Sequence, residues 1–286
     1  MTRFWIFLSL VFSTGVSIVA QEIPISNPGF EIVSRPLDSG EITNGAGGDG
    51  VLVGTRLSLF DPPQFDDVVE IPGWRTFLPT GDPITILTGV LNPPATKSGK
   101  PFVAGFSGQY FASARNVWMQ QTLNHQLVPN TRYRLTFLCG SSLTEPGDGV
   151  FAGMVATPDL NTLAFAGVPG TTTLALSNFL APEIGQMFSW TVDFITPKNL
   201  PEHLQNHYIA IAFVGGDGIT LMNFDDFQLV AATIGDVNGD GQVDLLDIQP
   251  FVELLTSGSY QFEADTNQDG IVDLLDIDPF VEILGG

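Results

Sequence analysis

Arg132-Tyr133-Arg134-Leu135-Thr136-Phe137-Leu138-Cys139 decides the fold. Tyr133, Leu135, Phe137 and Cys139 fall at every second position, with Arg132, Arg134 and Thr136 between them. A period of two marks a strand with one buried face; a helix would repeat every three to four residues. Outward from there the pattern recurs. Phe188, Trp190, Val192 and Phe194 share one face of 186–194, Ile209, Ile211 and Phe213 share another, and Phe227 and Leu229 follow. Turn formers such as Val128-Pro129-Asn130 and Glu145-Pro146-Gly147-Asp148-Gly149 separate the runs. With roughly ten such runs and no amphipathic helix among them, residues 21–232 read as a mainly β, antiparallel, two-sheet β-sandwich.

The composition narrows the function. The chain has 286 residues, 31 acidic against 10 basic, for a net charge of −21. So few cations cannot neutralise phosphates, which excludes nucleic acid as a partner, and the sign disfavours anionic membrane surfaces. Apolar residues make up 44% of the chain, enough to fill a core despite the charge. The single cysteine, Cys139, excludes an internal disulfide, and its place on the apolar face of its strand reads as an inert core thiol.

Met1–Ala20 carries Arg3, an apolar run over Phe4–Phe12, and Ser17-Ile18-Val19-Ala20 before Gln21-Glu22. That is the layout of a secretory signal peptide cleaved near Ala20. No later stretch is long and apolar enough to span a membrane, so the expected location is secreted or cell-surface.

Residues 236–255 and 265–284 are one unit repeated 29 positions apart, identical at 15 of 20. The first loop places Asp236, Asn238, Asp240, Asp244 and Asp247 at positions 1, 3, 5, 9 and 12, with Gly241 at position 6. The second repeats this with Asp265, Asn267, Asp269, Asp273, Asp276 and Gly270. Ca²⁺ takes six to eight oxygens, glycine permits the sharp turn, and position 7 (Gln242 and Ile271) contributes a backbone carbonyl. Two bound Ca²⁺ are expected, and Val243 and Val272 at position 8 are expected to pair the loops through a short β contact. After each loop the period changes: Ile248, Phe251, Val252 and Leu255, like Ile277, Phe280, Val281 and Leu284, fall on one helical face. Pro250 and Pro279 fit the first helical turn, with Asp247 and Asp276 as the expected N-caps. The two helices should pack together. Residues 233–286 hold 12 acids and no bases, so much of the charge imbalance is a metal requirement.

Catalytic patterns are scarce. His203-Leu204-Gln205-Asn206-His207 lacks the glutamate that a zinc-protease helix needs after its first histidine. Gly45-Ala46-Gly47-Gly48-Asp49-Gly50 has nucleotide-loop spacing but no strand–helix context. No Gly-x-Ser-x-Gly elbow occurs. Glu145, Glu183 and Glu202 leave a glycosidase-like carboxylate pair open, since that chemistry needs only two acids about 5–10 Å apart.

Two stretches carry a family resemblance. The duplicated loop-and-helix unit over 233–286 resembles the type I dockerin module of bacterial extracellular glycan-degrading systems. That resemblance implies a cohesin-like partner on a scaffold or surface protein. Leu245-Leu246 and Leu274-Leu275 stand where small or hydroxylated recognition residues are usual in that family, and the usual basic residues are absent. Asn27-Pro28-Gly29-Phe30-Glu31, Ile71-Pro72-Gly73-Trp74, Gln120-Gln121-Thr122-Leu123 and Phe224-Asp225-Asp226-Phe227-Gln228-Leu229 together resemble the galactose-binding-like jelly-roll domains of bacterial carbohydrate-binding modules, which implies a jelly-roll β-sandwich. This second resemblance implies a structural calcium between Glu31 and Asp225, the latter expected on the strand face of Phe227 and Leu229. A sugar ligand would stack on exposed aromatics, for which Trp74, Tyr110, Trp118 and Tyr208 are the candidates, while Trp190 belongs to the core.

The expected organisation is therefore a signal peptide (1–20), a sandwich (21–232) and a dockerin-like calcium module (233–286). The expected function is a non-catalytic polysaccharide-binding, adhesive or structural protein held to a surface or scaffold partner. The alternative is an extracellular polysaccharide-degrading enzyme, a hydrolase of O-glycosyl bonds or a lyase, carrying the same module.

Overall fold

The computed structural model describes residues 21–33, 36–37, 41–42, 57–58, 71–77, 87–91, 96–97, 100–101, 103–115, 118–141, 150–162, 164, 168–179, 185–215 and 222–285. The expected signal segment, the Gly45–Gly50 loop, Glu145 and Glu183 lie outside them. Gln21–Ile234 forms one compact unit and Gly235–Gly286 belongs to another. No helix among the described residues is long and apolar enough to cross a membrane.

The first unit is an antiparallel β-sandwich. Its strands are β1 (Gln21–Ile23), β2 (Glu41–Ile42), β3 (Leu57–Ser58), β4 (Arg75–Phe77), β5 (Leu87–Leu91), β6 (Thr96–Lys97), β7 (Lys100–Pro101) and β8 (Phe111–Arg115). These are followed by β9 (Trp118–Gln126), β10 (Thr131–Ser141), β11 (Val150–Thr157), β12 (Thr172–Phe179), β13 (Met187–Ile195), β14 (Tyr208–Val214) and β15 (Met222–Thr233). One sheet runs β13-β10-β15-β8-β5-β2-β3, with β1 also paired to β15, and the other runs β12-β11-β14-β9-β4. β6 and β7 make a separate hairpin. As its alternation predicts, β10 sends Tyr133, Leu135, Phe137 and Cys139 into the core, where they meet Met119, Leu123, Ile209, Ile211 and Phe213 of the opposite sheet. Phe30, Trp74, Phe213, Phe224 and Phe227 pack ring against ring there, with Phe213 and Phe227 stacked at 5.1 Å. Burial pushes the Cys139 thiol far above its ordinary pKa, in keeping with an inert core residue.

One departure repositions a site residue. β10 and β15 slip register between Thr136/Leu138 and Gln228/Asp225, and Asp226 adopts a left-handed φ of 51°. This bulge absorbs one residue. Phe224 and Phe227 therefore both face the core, and Asp225 points to the side opposite Phe227 and Leu229. The expectation of a shared face is corrected by that inserted residue. The bulge also marks a gap along one edge of β15, where β8 pairs with Met222–Phe224 and β1 pairs with Leu229–Ala231. The Asn27–Phe30 turn fills the gap, and the Phe227 amide donates to the Pro28 carbonyl at 3.1 Å.

The second unit holds α1 (Ile248–Ser257) and α2 (Ile277–Leu284), each preceded by a 3-10 turn, Leu245–Asp247 and Leu274–Asp276. The helices meet as expected: Phe251 and Phe280 stack with centroids 4.1 Å apart, and Val237, Ala264 and Val272 complete their core. Asp247 and Asp276 stand at the N-cap positions of α1 and α2 as expected, but the side-chain caps lie elsewhere. Asp244 and Asp273 accept the amides of Leu246 and Leu275, while Asp247 and Asp276 make no side-chain cap on the α-helices. A 3-10 turn inserted before each helix moves the cap three residues upstream. Nor do Val243 and Val272 take strand conformation. Val272 enters the core, and Val243 lies so close to Gly235 (φ 98°) that a Cβ there would stand 2.8 Å from it.

Candidate functional site

The loops of the second unit gather hard oxygen donors around two left-handed glycines, Gly241 at φ 87° and Gly270 at φ 89°. In the first loop Asp236 Oδ2 accepts from the Gly241 amide (2.9 Å) and Asp240 Oδ1 from Gln242 (2.9 Å). The fully buried Asp247 accepts from the Asn238 and Asp244 amides at 2.9 and 2.8 Å. The second loop repeats these bonds with Asp265, Asp269 and Asp276. The twelve predicted positions are thus assembled as two matching loops. Among the described residues no three His, Cys, Asp or Glu side chains converge on a single point, so acids alone do not define either site. The wider donor set, with Asn238, Asn267 and the position 7 carbonyls, is the chemistry of Ca²⁺ and not of a softer metal.

Asp236 is buried, and its Oδ1 has no hydrogen-bond partner. A lone carboxylate oxygen withdrawn from water is costly unless a cation meets it. Its pKa is raised by burial, with the neighbouring Asp247 and Asp240 charges adding to the effect.

In the sandwich, Glu31 and Asp225 converge on one turn. Asp225 Oδ2 accepts from the Ser107 amide at 2.6 Å, and Glu31 Oε1 accepts from the Gln109 and Tyr110 amides at 2.8 and 3.0 Å. The Glu31 carboxylate rests against the Cα of Gly108, where any side chain would collide with it. Asp225 is pushed up to about 7, chiefly by burial, while the Ser107 and Asp226 amides oppose the rise and the Asp226 and Glu31 charges add to it. Such a carboxyl takes either a proton or a cation.

The four aromatic candidates separate. Trp74 and Tyr110 are buried: the Trp74 indole donates to the Asn27 carbonyl at 3.0 Å, and the Tyr110 hydroxyl accepts from the Leu37 amide at 3.3 Å. They are core residues, which corrects their reading as exposed platforms; nearby turns and polar neighbours supply their partners, not a ligand. Trp118 and Tyr208 are half-buried on the outer face of the five-stranded sheet. Trp118, Gln120 and Thr122 alternate along that face of β9, opposite Val214, Ala212 and Ala210 of β14. Trp118 packs with Ala164 and Val168, and the Gln120 side-chain carbonyl accepts from the Ala164 amide at 2.9 Å. Gln120 Nε2 and Thr122 Oγ1 are buried without partners. Sequence reasoning quoted these two residues only as part of a motif. The alternation from Trp118 was the available signal that they share its face.

A two-sheet sandwich followed by a duplicated calcium-type module defines the class of protein. A family model described as HpiC1 cyclase, HpiC1-like, matches residues 21–230, and one for the dockerin type I domain matches residues 234–279. The chain belongs to the HpiC1-like family and carries a type I dockerin domain at 234–279. No curated protein matches it. Among solved structures, the Stig cyclase Fisc from Fischerella sp. TAU, in complex with (3Z)-3-(1-methyl-2-pyrrolidinylidene)-3H-indole, is 20% identical with a TM-score of 0.52. The match covers 75% of this chain and 99% of that one. A cyclase from Fischerella sp. TAU in complex with 4-(1H-indol-3-yl)butan-2-one is also 20% identical, with a TM-score of 0.51 and coverage of 75% and 98%. The sandwich therefore has a Stig-cyclase-like fold, which broadens the galactose-binding-like expectation.

Proposed function

We propose that the chain is an exported two-module protein whose calcium-loaded dockerin domain attaches it to a cohesin-like or other surface protein, while its sandwich binds a ligand without transforming it. The paired loops carry this reading, above all the buried, unpartnered Oδ1 of Asp236. Asp236, Asn238, Asp240, Asp244, Asp247 and the Gln242 carbonyl would hold one Ca²⁺. Asp265, Asn267, Asp269, Asp273, Asp276 and the Ile271 carbonyl would hold the second. Glu31 and Asp225, clasped by the Ser107–Tyr110 turn, would share a third. Calcium supplies positive charge that lets these carboxylates stay ionised when buried, and in the small module it supplies folding free energy. In this reading Met1–Ala20 is removed on export and the mature protein is extracellular.

The ligand face is the outer side of β9 and β14. Trp118 and Tyr208, both half-buried there, offer aromatic surface on which a sugar ring would stack. The second reading, that the sandwich transforms a small molecule, is favoured by membership in a cyclase family.

One experiment separates the two. The full chain in Ca²⁺ is titrated with soluble polysaccharides and with 4-(1H-indol-3-yl)butan-2-one, and each mixture is analysed for products. Polysaccharide binding that is lost in Trp118→Ala, without products, supports the binding reading. Turnover of the indole favours the cyclase reading, and depolymerisation of the glycan restores the hydrolase or lyase alternative.

A further inference from the structure

The two calcium loops are alike in sequence but differ in what holds their first aspartate. α1 ends at Gly258 in a left-handed cap (φ 68°), and the chain turns back through the 3-10 turn Phe262–Ala264, where the Asp265 amide donates to the Phe262 carbonyl at 3.1 Å. The Gln261 side chain pins this segment by donating to the Val237 carbonyl at 3.0 Å. Tyr260 is thereby brought against the second loop. Its hydroxyl donates to Asp265 Oδ2 at 3.2 Å, the same oxygen that accepts from the Gly270 amide at 3.0 Å. Asp265 Oδ1 accepts from the Asp269 amide at 3.1 Å. Asp265 is 2% exposed, whereas Tyr260 is 54% exposed and its ring lies outside the core of Val237, Phe251, Ala264, Val272 and Phe280. A ring left largely in water adds little packing, so the bond from its hydroxyl to a buried carboxylate is what distinguishes this position. The first repeat has no such residue. The offset of 29 places Ala231 as the counterpart of Tyr260, and alanine has no hydroxyl. Asp236 Oδ2 accepts from the Gly241 amide at 2.9 Å, and its Oδ1 is buried without a partner.

We propose that Tyr260 is a positioning residue of the second calcium site: its hydroxyl fixes the Asp265 carboxylate, so that the second loop is shaped for the ion before the ion arrives and the first loop is not. A hydrogen bond from a hydroxyl to a carboxylate is charge-assisted, and it holds the orientation of the ligand. Site rigidity is one of the quantities that tune Ca²⁺ affinity in such loops, and losing an outer partner of a metal ligand costs about 10–100-fold in affinity.

This inference rests on the reading that the loops bind calcium. The test is calorimetric Ca²⁺ titration of the full chain in two backgrounds: Asp236→Asn, which leaves the second loop intact, and Asp265→Asn, which leaves the first. Tyr260→Phe keeps the ring and removes the hydroxyl. It is expected to weaken binding about tenfold in the Asp236→Asn background and by less than about twofold in the Asp265→Asn background. Equal loss in both backgrounds, loss confined to the first loop, or none in either overturns the inference. Tyr260→p-aminophenylalanine restores a donor at the same place on the ring. Recovery of second-loop affinity in that variant supports the inference, and affinity no better than that of Tyr260→Phe overturns it. The same variant, compared with wild type, decides the matter if Tyr260→Phe fails to fold in excess Ca²⁺. A chain whose Ca²⁺ uptake is unaffected by Asp236→Asn and by Asp265→Asn defeats the loop reading itself and this inference with it, a result distinct from the others.

Discussion

Phe251 of α1 and Phe280 of α2 stack nearly parallel, with centroids 4.1 Å apart and ring planes 12° apart. They hold equivalent positions in the two repeats, so one contact joins each repeat to its copy. Neither helix would otherwise have enough apolar surface to bury in so small a unit.

Phe280→Ala should therefore disrupt both repeats together. A buried phenylalanine replaced by alanine costs about 3–5 kcal/mol, comparable to the whole stability of a small module. Helical ellipticity at saturating Ca²⁺ is the measure, and its retention in the variant would argue against a shared core.

Chelation should melt the module and spare the sandwich. The two are separable by optics, because residues 233–286 contain no tryptophan while Trp74, Trp118 and Trp190 lie in the sandwich. In chelator, helical ellipticity and protease resistance of 233–286 should fall while tryptophan emission stays native. Asp236→Ala should give a partial version of the same loss.

Calcium should also raise the melting temperature of the sandwich, followed by tryptophan emission, if Glu31 and Asp225 share an ion. Asp225→Asn removes one of the two charges and should abolish the rise. An unchanged calcium response in that variant would leave the Ser107–Tyr110 turn as a purely structural clasp.

His125 makes the stability of the sandwich depend on pH. Its Nε2 lies 3.3 Å from the Tyr133 hydroxyl, which itself accepts the Val128 amide at 2.8 Å. Burial lowers its pKa below 6.5. Folding thus favours the neutral ring, and the contribution is present above pH 6.5 and lost as pH falls through the folded-state value. His125→Gln should flatten the acid side of the stability profile of the sandwich. A profile identical to wild type would mean that other groups dominate it.

Much of this was legible in the chain. The alternation from Tyr133 to Cys139 named the core face of β10, and the shift to helical spacing at Ile248 and Ile277 named α1 and α2. Oxygen spacing with Gly241 and Gly270 named the loops because few residue types satisfy that backbone and that ion together. What escaped was whatever depends on a partner distant in sequence. The side of the sheet on which Asp225 lies is set by one inserted residue, Asp226, whose effect appears only in the register with β10. Trp74 resembles a surface aromatic until Asn27 is seen to accept its indole proton.

The pairing of β1 with β15 has a temporal consequence. Gln21 lies opposite Ala231, and among the described residues β1 pairs with β15 alone, so this strand waits for the last one before it has a neighbour. A chain made from its N-terminus passes most of its synthesis with that closing seam open, and contacts of such long reach form slowly. A sandwich that locks only when its final strand arrives stays open to rearrangement until nearly all of it has been made.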